Sequence, residues 1–590
     1  MVHLLTAMRR FPGALLKTGQ CRALCRPLTS SSSTDRKVRS SYWNQTCSKP
    51  LSPHTLGTYV DIAAERFGDR VGWSFLQEGK HCTFRDFKQQ VDRVAQGLLS
   101  LGFSKGDTLL IWAPNSFNWI LMAAASAKIG VISASCHFAL TAAEFERCLL
   151  TVGFKGVFIA ESFKVFNYYD MLSSIILELR HCKPGQLSCS KYPFLRAVIA
   201  GGNQKAPGCT PLHELMQSEG KELREAQEKV GMDDPFTILF TSGTTGTPKA
   251  ATISHHNFVN NVIAFHYKSN MTEDMVMCVP LPFFHVYGLS VVLGRTLIPG
   301  IKTVVPTPSY DLTAMFKAIQ EHRCTDICGS PTMYVDMIKS SLLKNYDLSS
   351  LKRVECGGSL VVPSLRKLLR EKLNVPVRVG YGTTELTTAT TVVGEDDPED
   401  KQLNTVGRPL PYLEVKIADP MTGVEQPVGT PGEVWSRGHH VFLGYYNDEQ
   451  KTRECITDAR WYKTGDVGVM DEDGYIDIVS RIKDMVIRGG ENIYPAEVEE
   501  VLNTHPAVHE SLVIGVPDER MGEELCAWIV LKDKAKVTDE EMREHCGEKL
   551  TRFKIPRYFI YNPNVPRTAI GKPQKAKMRP LAAEMLGLVK

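Results

Sequence analysis

The short, mostly apolar stretch 236–240 runs straight into Thr241-Ser242-Gly243-Thr244-Thr245-Gly246-Thr247-Pro248-Lys249, and a helix-like stretch opens near Ser254. Nothing else in the chain narrows the choice of fold as far, because it asks for a strand, a tight turn and a helix in that order. Two glycines let the backbone turn sharply and present N–H groups; the hydroxyls add donors and Lys249 adds positive charge. Together they form a phosphate cradle. A Walker A loop is excluded, since Gly246 and Lys249 are separated by Thr247-Pro248. Taken alone, the segment also reads as a flexible Thr/Gly-rich surface turn.

Helix and strand signals alternate on both sides of this loop, which argues for α/β layers. Thr83-Phe84-Arg85-Asp86 has capping-box form and opens a helix with Phe87, Val91, Val94, Ala95 and Leu98 on one face. Gly102 stops that helix, and residues 108–112 follow as an apolar strand. Near the C-terminus a strand is expected at 475–479, then the polar break Arg481-Ile482-Lys483-Asp484. Pro495 begins a helix, strands follow at 511–516 and 527–531, and Thr538 to Glu541 forms a second capping box. This last stretch reads as a separate α+β unit. The expected fold is therefore α/β, a large multi-layer N-terminal body over 50–482 with a small mobile α+β domain over 483–590.

At 590 residues the chain has room for roughly four units of about 150 residues. The longest apolar run, 119–127, ends at Lys128 and is too short for a membrane span. Residues 1–41 hold eight Lys or Arg against the single acid Asp35, a net charge of +7. The whole chain carries +4, so the remainder is mildly acidic at −3, and no basic field invites nucleic acid. The leader is also rich in Ser and Arg, which describes a mitochondrial transit peptide and a matrix destination; a basic N-terminus with no address is the alternative. Sixteen cysteines without close spacing point to free thiols in a reducing compartment.

Further motifs follow the loop in order: Gly380-Tyr381-Gly382-Thr383-Thr384-Glu385, Tyr462-Lys463-Thr464-Gly465-Asp466, Ser480-Arg481-Ile482-Lys483-Asp484, Gly489-Gly490-Glu491-Asn492-Ile493-Tyr494-Pro495 and Gly571-Lys572. With these the chain resembles the adenylate-forming enzymes from roughly residue 50 to its C-terminus, and it is most similar to their mitochondrial medium-chain acyl-CoA synthetase branch. The resemblance implies an ATP-dependent ligase that joins a carboxylic acid to coenzyme A through an acyl-adenylate, using ATP, Mg²⁺ and coenzyme A.

The resemblance also implies roles. Lys249 and the loop hydroxyls hold the β and γ phosphates, Glu385 holds Mg²⁺, and Tyr381 and Thr384 flank the nucleotide. Asp466 accepts the ribose hydroxyls and Arg481 adds a ribose or phosphate contact. Lys572 reaches the α-phosphate and the substrate carboxylate, although Pro573 departs from the usual pattern and Lys575 is a nearby competitor. Rotation of the small domain about Lys483 and Asp484 withdraws Lys572 and brings Gly489, Gly490, Glu491 and Asn492 to the thiol channel.

Phe283, Phe284, His285 and Tyr287, with Gly357 and Gly358, border the acyl channel in the same reading; core packing is the equal alternative for the aromatic residues. Gly329-Ser330-Pro331-Thr332 is a further wall segment. Medium-chain fatty acid is the substrate inherited from the resemblance. An aryl-CoA ligase, a luciferase-like oxidase and an inactive acyl- or nucleotide-binding protein are the rivals.

Overall fold

The apolar run 119–127 folds as the middle of the helix Phe117–Lys128, and every residue of that helix except Asn118 is buried. Ser116 caps its start by accepting from the Trp119 N–H. At its end the Lys128 ammonium lies 2.7 Å from Asp61 and 2.5 Å from Asp92. Those carboxylates sit on the helices Leu56–Phe67 and Phe84–Ser100, so one buried cation ties three helices together. The computed structural model describes residues 39–202, 206–217, 222–241, 248–489, 491–567 and 571–588. Among them no helix is long and apolar enough to cross a membrane, and every cysteine is a free thiol.

Two large mixed sheets build the body. The eight-stranded sheet runs parallel through Gly156–Ile159, Thr108–Trp112, Ile132–Ser135 and Pro235–Thr241, then turns antiparallel at Lys249–Ser254 and Gly444–Tyr445. The nine-stranded sheet is parallel across Asp326–Gly329, Arg353–Cys356 and Val377–Tyr381. Thr241 and Tyr381 thus stand at carboxyl ends of parallel strands, where open α/β sheets bind ligands. A third, antiparallel sheet carries Tyr462–Met470 and ends at Ile476–Arg481. The C-terminal unit has its own five-stranded sheet, beginning at Val486–Arg488.

The structure corrects several boundaries. The body starts ahead of residue 50: Tyr42–Asn44 pairs with Glu414–Ala418, and Ser41 is fully buried, its N–H donating to Gln426 O at 2.8 Å. Such a short edge strand has too few residues to show a period. The strand expected at 475–479 runs Ile476–Arg481. The two C-terminal strands are longer than their apolar cores and join as a hairpin, Val508–Asp518 with Gly522–Leu531. The strand Lys249–Ser254 was not expected; the helix after it is capped at Ser254, with a reciprocal bond to Asn257.

One buried ion pair braces the floor beneath the site. Arg295, 2% exposed, donates from Nη1 to both carboxylate oxygens of Glu355 at 2.8 Å and lies 3.9 Å from the Phe265 ring centroid. Removing Arg295 leaves the buried Glu355 carboxylate with the longer contact from Arg378, 3.9 Å away. Arg295→Met is therefore expected to lower unfolding stability by about 3–5 kcal/mol. Arg295→Met with Glu355→Leu should recover much of that loss in denaturant titration; an unchanged midpoint for the single variant refutes this account.

Candidate active site

Thr241 pairs with Lys249 across the two strands that flank the Thr/Gly loop. Ser242, Gly243, Thr244, Thr245, Gly246 and Thr247 lie outside the described residues, as does Gly490. Lys249 opens its strand with Nζ 4.9 Å from the centroid of the Tyr445 ring. The strand Val377–Tyr381 leads into a short turn, Thr384–Leu386, which carries Glu385. Glu385 accepts twice: its carbonyl from Phe442 N–H at 2.9 Å, and Oε1 from the Tyr445 hydroxyl at 2.8 Å. Thr384 stands beside it in the same turn.

Asp466 is 4% exposed and gathers three neighbours. The Tyr381 hydroxyl donates to Oδ2 at 2.7 Å, Arg481 Nε donates to Oδ1 at 3.0 Å, and Asp466 N–H donates to Thr464 Oγ1 at 3.0 Å. Burial, then the Asp466 charge, raises the Tyr381 phenol well above its usual range, so it stays a donor. The preceding Gly465 has φ 70°, a conformation that favours glycine. Its N–H donates to Glu433 Oε1 at 2.9 Å, while Trp435 Nε1–H donates to Oε2 at 2.7 Å. Glu433, 6% exposed, thereby braces the turn that presents Asp466.

Lys572 reaches this cluster from the C-terminal unit. Its pKa is pushed down to about 8 by burial and the Arg481 charge, against the pull of Asp466. His285 is pushed down to about 3 by burial, then by the Lys572 charge and by His137. Lys572, Arg481, Asp466 and His285 are thus electrostatic neighbours although they come from four segments. Lys575, the competitor, pairs with Glu499 Oε1 at 2.5 Å inside its own unit. Arg567 Nη1 donates to the carbonyl of Gly571, the residue before Lys572, at 2.9 Å.

The aromatic segment divides. Phe283 is fully buried and packs on Phe75 and Trp119, ring centroids 6.1 and 5.7 Å away. Phe284 faces the His137 ring at 4.7 Å and His285 at 4.9 Å. The Tyr287 hydroxyl donates to Glu355 O at 3.4 Å, and its ring lies beside Gly357. Gly358 borders open space. Lys483 and Asp484 occupy the turn Ile482–Asp484, between the last strand of the body and the first of the C-terminal sheet. Gly489 N–H donates to Met521 O at 2.8 Å, and Glu491 and Asn492 are exposed on Glu491–Ile493. Tyr445, Glu433 and His137 escaped the sequence reading; of these only Tyr445, following Gly444 beyond the apolar strand, carries any local signal.

Among the described residues no three His, Cys, Asp or Glu side chains group as a metal cage. A single carboxylate, Glu385, sharing the neighbour Tyr445 with Lys249 suits a different arrangement. Mg²⁺ keeps several waters and commonly binds through one or two carboxylates plus substrate phosphates. Glu385 fits a Mg²⁺ ion that arrives with the nucleotide.

Two carboxylates, Glu385 and Asp466, and three cations, Lys249, Arg481 and Lys572, are contributed by the body and the small C-terminal unit. Residues 60–446 match the AMP-binding enzymes and residues 497–572 match the AMP-binding enzyme C-terminal domain, so the chain belongs to the AMP-binding enzyme family. It is 41% identical over 559 residues to the mitochondrial medium-chain acyl-CoA ligase ACSF2 of Danio rerio, covering 93% of this chain and 92% of that protein. The Homo sapiens protein of the same name is 38% identical over 567 residues, with the same coverage of 93% and 92%. Among solved structures, the o-succinylbenzoate CoA synthetase of Bacillus subtilis with its acyl-adenylate intermediate superposes with a TM-score of 0.73 at 26% identity, covering 90% of this chain and 98% of that one.

Proposed function

We propose that this protein is an ATP-dependent fatty acid–CoA ligase acting on medium-chain acids. A carboxylate attacks the α-phosphorus of ATP, forming acyl-AMP and releasing pyrophosphate; the coenzyme A thiol then attacks the acyl carbonyl, giving acyl-CoA and AMP. The observation that supports this reading is the Tyr381–Asp466–Arg481 cluster of the body, with Lys572 of the small unit close enough to feel the Arg481 and Asp466 charges.

A carboxylic acid with pKa about 4–5 is already ionised near neutral pH, so the first step needs no general base. Its barrier is anion meeting polyanion, and catalysis rests on cations and fixed donors. Lys249 and the Thr241–Thr247 hydroxyls hold the β and γ phosphates. Glu385 binds the Mg²⁺ that accompanies them. Each oxygen of Asp466 carries one side-chain donor, and a carboxylate's further lone pairs accept the ribose hydroxyls. Tyr381 and Thr384 border the nucleotide, and Arg481 adds a ribose or phosphate contact. Lys572 bridges the α-phosphate and the incoming carboxylate.

Phe284, His285, Tyr287, Gly357 and Gly358 line the acyl channel, with Phe283 supporting it from the core. For the second step the unit after Asp484 turns about Lys483 and Asp484, and the Gly489-Gly490-Glu491-Asn492 loop lines the thiol channel. The domains assigned are a leader, the body up to 482 and the rotating unit 483–590. A leader ending at 41 removes Ser40 and Ser41 from their places beside Pro427 and Gln426, so cleavage ahead of Ser40 is favoured.

The deciding experiment follows pyrophosphate and AMP formation from ATP and Mg²⁺ across a chain-length series of fatty acids, with and without coenzyme A. Acid-dependent AMP formation that accelerates with coenzyme A and peaks at medium length is expected; no stimulation by any acid overturns the ligase reading. We place the protein in mitochondria, in the matrix. Isolated mitochondria should import the full chain and fail to import one lacking residues 1–38; equal import of both removes that assignment.

A further inference from the structure

The segment 442–446 is stitched both to the turn that carries Glu385 and to the strand that carries Lys249. Phe442 N–H donates to Glu385 O at 2.9 Å, Leu443 N–H to Thr252 O at 2.9 Å, and Tyr446 N–H to Ala250 O at 2.8 Å. Tyr445 pairs with Ala251 two residues beyond Lys249, and its N–H donates to Thr452 Oγ1 at 2.9 Å. A Cβ on the preceding Gly444 would come within 2.8 Å of Thr452 Cγ2, so only glycine lets the segment lie this close. The Tyr445 ring is therefore held by its backbone before any ligand arrives.

From that fixed point the side chain serves two groups at once. Its hydroxyl donates to Glu385 Oε1 at 2.8 Å, and its face receives the Lys249 ammonium 4.9 Å from the centroid. Tyr445 is 7% exposed, and the Phe442 ring packs 5.0 Å away. A carboxylate otherwise rotates freely about its last bond; a donor fixed to one oxygen sets the plane in which the other faces outward. A cation over the ring is held by the ring's negative face.

We propose that Tyr445 is the positioning residue of the nucleotide site, setting the orientation of the Glu385 carboxylate for Mg²⁺ and the reach of Lys249 toward the phosphates. The assignment rests on the proposed roles of Glu385 as the metal ligand and Lys249 as the phosphate cation. It predicts that the two functions of one side chain separate: the hydroxyl governs the metal-dependent part of ATP binding, and the ring governs the metal-independent part.

Calorimetric titration of ATP, with Mg²⁺ and with EDTA, reads both parts without turnover. Tyr445→Phe keeps the ring and removes one charge-assisted hydrogen bond, so affinity for Mg·ATP should fall by about tenfold while affinity for metal-free ATP holds. That second value also reports that the site is folded. Tyr445→Leu should weaken both. In the half-reaction assay Tyr445→Phe should raise KM for Mg·ATP more than it lowers kcat. Equal Mg²⁺ dependence in Tyr445→Phe and the unaltered protein overturns the proposal, and so does an unaltered protein whose ATP affinity ignores Mg²⁺. A protein that shows the expected titrations but turns over no acid sinks the ligase reading and leaves the Tyr445 assignment standing.

Discussion

Lys572→Ala is expected to lower acid-dependent pyrophosphate release by about 10²–10³-fold, the usual cost of removing one fixed charge contact to a transition state. The same variant should convert supplied acyl-adenylate and coenzyme A to acyl-CoA at close to the normal rate, because rotation of the small unit withdraws Lys572 for that step. Equal losses in both half-reactions would refute the alternation. A pH profile adds an independent check. The ammonium is charged below about 8 and neutral above it, so kcat/KM for the first half-reaction should fall as pH rises through about 8. Lys572→Arg, whose guanidinium stays protonated, should lose that alkaline limb.

Stiffening the connection between the units should give the opposite pattern. Lys483 is the middle residue of the tight turn Ile482–Asp484, a conformation whose usual φ of about −60° a proline ring can adopt. Lys483→Pro is expected to leave the first half-reaction within several-fold. Thioester formation from supplied acyl-adenylate should fall by at least about a hundredfold, since the thiol channel then never forms. Full activity in both assays would move the pivot elsewhere. The residue is exposed, so a general loss of stability does not confuse the outcome.

Local order was readable from the chain; long-range order was not. The helix Phe84–Ser100 announced itself through Thr83 and the spacing of its apolar face, and it folds with Phe87, Val91, Val94, Ala95 and Leu98 buried. Pro495 and Thr538 marked helix starts for equally local reasons. The motif residues came to light because glycine and hydroxyl patterns report turn geometry. Tyr445 and Glu385, 60 residues apart, meet only through sheet pairing, and Glu433 braces Gly465 across 32 residues. No periodicity records such a contact. Phe283 and Phe284 show the same limit: adjacent in sequence, one enters the core and the other faces His137.

The crowd of cations around Asp466 has a consequence for timing. Lys572 is repelled by Arg481, and Lys483 by Arg481 and Lys249, so the joined arrangement of body and lid carries its own electrostatic pressure. On the proposed reading triphosphate would be the counter-charge that relieves it, so that nucleotide arrival would latch the small unit. Once pyrophosphate departs, most of that counter-charge goes with it and the pressure returns. On that reading the leaving group would act as a clock: its exit, rather than the thiol's arrival, would release the small unit to turn, and coenzyme A would meet a site already opening.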